Sequence, residues 1–479
     1  MDDDGGPDDK RLPSRRARRG AGSSPRASTI AQVTRKLSPD LAPIRHSRNF
    51  RLLYGGQAAN TTGSMICFVA LPYQAYSISH SSLVVGLLSC AELIPVLLAG
   101  VIGGALADSV ERRKLILITQ SCSAICILGL GINALVARQL WLLFVLAALL
   151  TLSFGLQRPS VEVIVPRLVA HDDLPASSAL STLLGTFANT LGPLIGGALL
   201  EGGVPLAYFA AAGTAAAGLI PFARMAPSSP GPDADRPSVS GLLEGLRYAK
   251  SRKDLLGTYL IDIGAMLFGA PYAVFPQIAL GLGGPAVLGL LYAAPGFGSL
   301  AVSLTSSWTR RVHHHGRAIA FSVCGWGIAI AAFGFAPGLP LSVLALAAAG
   351  GADCVSGLFR MTMWNQSIPA RVRGRMAGLE MISYSTGEPV GNLEAGAVAT
   401  LTGSVRIAVV SGGLLSLLGA LIVSLALPAL WRYDARDLKG MPVPEPAAGA
   451  PVVHSPVGVS STGLAASHNI EHAPLSEDS

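Results

Sequence analysis

Six ionisable residues stand inside or beside stretches that are otherwise apolar: Glu92, Arg158, Asp262, Asp353, Arg360 and Glu388. A charge at the centre of a bilayer costs about 2.5–3.5 kcal/mol. Six facing lipid would together cost on the order of 15–20 kcal/mol, more than the roughly 5–15 kcal/mol that stabilises a typical fold. They must therefore face an interior, pair, or lie near an interface. An acid in such surroundings can carry a proton, because desolvation disfavours its charged form. Glu92 lies midway along "CAELIPVLL" and Asp262 within "YLIDIGAMLFG". Each is a candidate for proton coupling or substrate contact; for Asp262 a capping or interfacial carboxylate is the alternative. Asp353 and Arg360 are seven apart, two turns along one helix face, and could form a polar stripe on a cavity wall. Glu388 and Glu394 flank the irregular "GEPVGNLEAG".

The elements that carry these residues are membrane helices. The chain has 479 residues, 51% hydrophobic and 13% charged, about half the charge of a soluble domain. A span needs roughly 20 mostly apolar residues. About twelve such stretches are expected, near 52–76, 83–107, 114–136, 140–162, 176–200, 204–223, 256–280, 285–307, 317–336, 340–361, 376–401 and 405–430. Pro95, Pro159, Pro193, Pro271, Pro295 and Pro389 interrupt several of them, as is tolerated where neighbouring helices or a cavity satisfy the freed backbone.

Lys and Arg set the orientation. They gather in alternate connections: Arg112, Arg113 and Lys114; Arg167; Arg224 to Lys253; Arg310, Arg311 and Arg317; Arg371, Arg373 and Arg375. The other connections carry little beyond Arg138 and Arg406. The even connections and both termini are thus expected in the cytoplasm of a multi-pass cell-membrane protein. The net charge of +7 follows the same loops and the first 50 residues, which suits anionic lipid rather than nucleic acid. No signal peptide is visible in the polar start, so the first apolar span is expected to direct membrane entry.

Five segments result: a disordered tail over 1–45, a six-helix bundle over 46–225, a linker over 226–255, a second six-helix bundle over 256–432 and a disordered tail over 433–479. The linker opens on "APSSPGPDADRPS" and continues as a basic amphipathic helix suited to the membrane surface. The halves echo each other. "GLQR" (155–158) and "GLFR" (357–360) close the fourth and tenth spans, each ahead of a proline and a basic connection. Arg158 is then the counterpart of Arg360. The fold class is an all-α membrane protein of about twelve transmembrane helices in two pseudo-symmetric bundles.

Two further motifs work through shape and charge. "GPLIGG" places Gly192, Gly196 and Gly197 for close helix approach, and Pro193 removes a backbone donor. It is either a tight contact that bends during transport or ordinary packing. "GGALADSVERRK" (103–114) puts five charges between Asp108 and Lys114. It resembles the signature loop between the second and third helices of the major facilitator superfamily, matching at Gly104, Leu106, Ala107, Asp108, Arg112, Arg113 and Lys114 and departing at Glu111. "GPLIGG" resembles the core of that superfamily's fifth-helix antiporter motif. "AGGADCVSGLFR" and "GNLEAGAVATLTG" are similar to a branch that contains enterobactin exporters and macrolide-efflux permeases.

The resemblance covers about 45–432. It implies a secondary active transporter, driven by protons, exporting a small amphipathic molecule such as a drug, siderophore or secondary metabolite. It also implies a gate in which Asp108 pairs across the bundle interface in one conformation and releases in another, with Gly104, Arg112 and Arg113 taking part. A lipid-related flippase or an importer on the same fold, and a non-transporting scaffold or sensor, stay open. An enzyme is not expected, for want of a Ser/His/Asp arrangement or a phosphate-binding glycine loop. No cofactor is expected, and no metal: "HHH" (313–315) lacks partner ligands and reads as a solvated turn. The six cysteines read as reduced packing residues, and a monomer is expected. Asp108→Asn is expected to lower turnover more than substrate affinity; transport and binding measured on one preparation check this, and unchanged turnover counts against the gate.

Overall fold

The computed structural model describes residues 40–227, 247–248, 250–368 and 370–436. Within these, the side chains of 101–102, 104–105, 107–109, 370–375 and 377–384 lie outside the description. So do most of both expected tails, most of the amphipathic linker helix, and the side chains of Gly104 and Asp108.

Among the described residues all regular structure is helical. The long elements are α1 (Arg48–Ser79), α2 (Ser82–Ser109), α3 (Arg112–Ile132), α4 (Leu140–Leu168), α5 (Leu174–Glu201), α6 (Val204–Ala223), α7 (Lys253–Leu282), α8 (Pro285–Leu304), α9 (His315–Phe335), α10 (Leu339–Ser367), α11 (Ala370–Thr402) and α12 (Val405–Ala426). Ten of them are long and apolar enough to cross a membrane. The other two, α1 and α11, are longer still but more polar. α1 carries Gln57, Asn60 and Gln74, and α11 carries Glu388, Asn392 and Glu394.

Local chemistry sets the boundaries. Ser47 caps α1 by accepting from the Phe50 N–H at 3.1 Å, and Ser404 caps α12 in the same way. Between α7 and α8 the chain turns through Gly283 (φ 140°) and Gly284 (φ 109°), a left-handed region closed to most side chains, and Pro285 then opens α8. Of the six prolines expected to interrupt spans, five sit inside continuous helices. Only the Pro271 region breaks one. α7 stops at Gly269, passes a 3₁₀ turn at Tyr272–Val274 and resumes at Phe275. Pro271 disfavours a helical Ala270, and Pro276 at the start of the second piece needs no donor.

The helices pack in a pattern that repeats when six is added to each number. α1 packs on α5 and α6, α2 on α4, and α3 on α4 and α6. Likewise α7 packs on α11 and α12, α8 on α10, and α9 on α10 and α12. The extensive contacts between the first six and the last six are α2 with α11 and α5 with α8. Glycine makes both possible. A Cβ at Gly86 of α2 would lie 2.6 Å from the Asn392 carbonyl oxygen of α11, and one at Gly396 would lie 2.4 Å from that of Ser82. A Cβ at Gly197 of α5 would lie 2.7 Å from Gly289 Cα of α8. Backbone-to-backbone approach of this kind is how membrane helices gain van der Waals contact without a hydrophobic drive.

Gly197→Leu should therefore destabilise by about 1–3 kcal/mol through overpacking. Gly185→Leu, on the same helix with open space beside it, should not. Thermal unfolding in detergent compares the two.

Candidate functional site

Three embedded charges expected on sequence grounds converge. Arg360 of α10 pairs with Asp262 of α7, and each side chain is 11% exposed. On its own helix Arg360 also lies 4.0 Å from Asp353, whose side chain is 41% exposed. One guanidinium thus stands between a buried carboxylate and an open one. The helices are fastened beside it: Trp364 Nε1 donates to Thr258 Oγ1 at 2.9 Å, and Tyr259 stacks on Trp364 at 4.9 Å. Asp353 and Arg360 do share a face, as their spacing indicates. The Asp262–Arg360 pairing is not visible in sequence, because 98 positions separate the two.

Glu92 and Glu388 meet where α2 crosses α11. The Cys90 thiol donates to the Pro389 carbonyl at 3.4 Å, and Asn392 Nδ2 donates to Ser89 Oγ at 3.3 Å. The two glutamates interact electrostatically, and both reach Tyr292 of α8. Asn392 was missed by sequence reasoning. Its Oδ1 accepts from the Ala273 N–H at 3.1 Å, which satisfies the broken backbone of α7 and ties it to α11 and α2. Three aromatic residues were also missed. Tyr292 meets Phe68 of α1 edge-on at 5.0 Å and stacks on Tyr272 at 5.9 Å, and its hydroxyl donates to the Tyr272 carbonyl at 3.3 Å. An asparagine at a helix break and aromatics at the same level as embedded acids are signals a sequence can offer.

Arg158 does not mirror Arg360 in its partner. It pairs with Glu162 one turn along α4, at 2.9 Å. Beside it runs a chain of amides: Asn60 of α1 donates to Gln157 of α4 (3.1 Å), Gln157 to Gln120 of α3 (3.2 Å), and Gln120 to the Ala215 carbonyl of α6 (2.9 Å). Four helices are thereby joined through groups that would be costly to leave unpaired.

Polar ties between the first six and last six helices cluster at one end. Ser82 Oγ donates to Gln277 Oε1 at 2.9 Å, and the Ala286 N–H at the start of α8 donates to Glu201 Oε1 at the end of α5, also at 2.9 Å. These positions adjoin the connections poor in Lys and Arg.

Comparison with known proteins decides the family. Residues 38–460 match a family described as transmembrane secretion effectors, within the major facilitator superfamily. The chain belongs to this family. It is a multi-pass membrane transporter of that superfamily. The enterobactin exporter EntS of Citrobacter koseri is 29% identical over 417 residues, covering 86% of this chain and 98% of that one. EntS of Shigella boydii serotype 4 is 29% identical over 398 residues, 82% and 95% of the two chains. In fold, the transporter is similar to the nucleoside transporter NupG, with a TM-score of 0.61 at 13% identity over 81% of this chain and 100% of that one. It is likewise similar to the POT family transporter PepTSo, with a TM-score of 0.64 at 11% identity over 80% and 98%.

The transporter's signature loop is ordered by its basic residues in three different ways. Arg112 is buried (2% exposed) rather than solvated, so it serves more than topology. Arg113 donates to the Ala223 carbonyl at the C-terminus of α6, where a cation meets the negative end of the helix dipole. Lys114 pairs with Glu111 at 3.1 Å. Glu111, the departure from the family pattern, thus has a local partner at the start of α3.

"GPLIGG" divides its contacts. A Cβ at Gly192 would lie 2.3 Å from Met65 Cβ of α1, and one at Gly196 would lie 3.3 Å from Ile66 Cα. Gly197 and the Pro193 carbonyl face Gly289 of α8. The motif seats α5 against α1 and α8 together.

In the transporter's histidine turn the described contacts are to protein. His314 Nδ1 lies 3.6 Å from Asp434 Oδ2, the His313 carbonyl accepts from the Ala435 N–H at 3.0 Å, and His315 packs on Phe359 and Tyr433. The exposed Asp434 carboxyl is held below its usual range, chiefly by hydrogen bonds from Arg436. The turn docks the segment that follows α12.

Arg360→Ala leaves Asp262 as an uncompensated buried charge, and a loss of about 3–5 kcal/mol is expected. The Asp262→Asn/Arg360→Gln double variant should recover most of it. Denaturant unfolding of the three proteins in detergent measures the difference.

Proposed function

We propose that this transporter is a proton-coupled exporter of a small amphipathic molecule, working by alternating access. In this reading all twelve long helices span the membrane. They form two pseudo-symmetric bundles, 46–225 and 256–432, joined by the cytoplasmic linker 226–255, in a monomer with both termini in the cytoplasm. The repeat of the packing pattern under a shift of six supports two bundles, and the Lys and Arg distribution supports the orientation. The glycine contacts and polar ties between bundles gather toward the connections assigned to the outside. That favours a conformation closed outward and open to the cytoplasm, the state in which an exporter receives cargo. The direction of transport agrees with the enterobactin exporters that the chain resembles.

The observation that carries the coupling is the Asp262–Arg360–Asp353 arrangement. Protonation of Asp262 removes the charge that holds Arg360. The guanidinium is then free to shift its pairing to Asp353 on its own helix, which loosens α7 from α10. Proton occupancy and helix position become linked through one cation. The signature loop, with Gly104, Asp108, Arg112 and Arg113, and the "GPLIGG" contact of Gly192, Pro193, Gly196 and Gly197 are the hinging and gating elements around it.

Inverted membrane vesicles energised with an inside-acid gradient should accumulate cargo from a panel of siderophores, macrolides and hydrophobic drugs. A protonophore should stop this. Asp262→Asn should abolish gradient-driven uptake while retaining exchange of cargo down its own gradient. Uptake that survives the protonophore sinks the coupling.

A further inference from the structure

Two embedded carboxylates are left over when the pairs are counted. Asp262 has Arg360, and Glu162 has Arg158. Glu92 and Glu388 form neither a hydrogen bond nor an ion pair among the described residues. Both are half-buried, so their oxygens are reachable from an open space rather than sealed in packing. They approach from opposite sides of the α2–α11 crossing and interact electrostatically with each other. Two like charges facing one another in a poorly polar layer require a positive charge between them.

The surroundings narrow what that charge is carried on. Tyr292, in electrostatic reach of both glutamates, is flanked by Phe68 and Tyr272 at 5.0 and 5.9 Å. Phe68 is 39% exposed, so its ring is open to contact. Aromatic faces carry negative charge density and attract cations, most strongly where water is scarce. They also offer broad apolar contact to a bulky body. A separate observation points into the same space. Tyr208 of α6 is wholly buried (0% exposed), and its hydroxyl has no hydrogen-bond partner. It interacts electrostatically with Cys67 and Glu92. A buried unpaired hydroxyl costs about 1–3 kcal/mol and is retained where something else meets it.

We propose that Glu92 and Glu388, with Phe68, Tyr272 and Tyr292, form the charge-recognition part of the cargo site and select lipophilic organic cations. This rests on the transport reading above and assigns its cargo class. The two carboxylates supply the counter-charge from one bundle each, the rings hold the apolar body, and an anion of the same shape is repelled. Because each bundle contributes one acid, the cargo bridges them when bound and loses one partner when they separate.

The test uses the purified full-length protein and two probes of nearly the same shape and opposite charge, tetraphenylphosphonium and tetraphenylborate, in equilibrium binding. The phosphonium should bind at least about 100-fold more tightly than the borate. Glu92→Gln and Glu388→Gln should each weaken phosphonium binding about tenfold, consistent with losing one close charge partner. Glu162→Gln, whose carboxylate already has Arg158, should leave it unchanged. The wild-type ratio of the two probes needs no variant and decides even where a variant fails to fold. Equal binding of the two ions overturns the proposal, as does unchanged phosphonium affinity in a folded double variant. Binding needs no gradient, so the two readings fail separately. Phosphonium bound but never moved by a proton gradient removes coupled export alone. Gradient-driven uptake of neutral cargo without phosphonium binding removes the cation site alone.

Discussion

A charge or a bare peptide group in an apolar layer has no water to turn to, and it must be met by another part of the chain. Much of this transporter's interior can be understood as answers to that demand. Arg360 is met by Asp262 and approached by Asp353, and Arg158 is met by Glu162. The backbone freed where α7 breaks is met by Asn392. The first N–H groups of α8 meet Glu201 from the end of α5. Each answer joins two segments, so satisfying the polar groups also fixes the helices relative to one another. The same logic singles out Glu92 and Glu388, where the answer is not supplied by the described chain.

The second organising constraint is distance. Helices without a hydrophobic drive between them associate where their backbones come close, and this chain puts glycine at those places. Gly86 and Gly396 at the α2–α11 crossing, and Gly197 and Gly289 at the α5–α8 crossing, make the two contacts between the first and last six helices. Both are narrow seams of small residues rather than broad interdigitated surfaces. A seam of this kind can part and re-form with little side-chain rearrangement, which suits a transporter whose work is done by relative motion of its parts. The polar ties Ser82–Gln277 and Glu201–Ala286 lie along the same seams.

Much of the fold was legible in the residues. Apolar runs of the right length located the spans, and Gly-Gly-Pro at 283–285 marked a turn that only glycine allows. The signature loop and "GPLIGG" were legible as motifs. α1 and α11 were harder to read as membrane helices, because interior polar residues such as Asn60 and Asn392 dilute their hydropathy. Proline was a poor guide to breaks. Pro95 and Pro159 are absorbed within helices, whereas Pro271 breaks one with the help of Pro276 and a side chain from α11.

The sequence by itself determined which residues are charged within apolar spans, where the basic connections fall, and which glycines permit close approach. These are properties of composition and spacing along one element. Only the tertiary structure decided that Asp262 takes Arg360, that Arg158 takes its own neighbour instead, that Arg112 is buried, and that Glu92 faces Glu388 beneath a set of aromatic rings. Pairing across helices depends on rotation and depth of each helix against partners up to about 300 positions away, as with Cys90 and Pro389. Local periodicity carries no record of that, because the free energy that selects it arises only once the helices are packed.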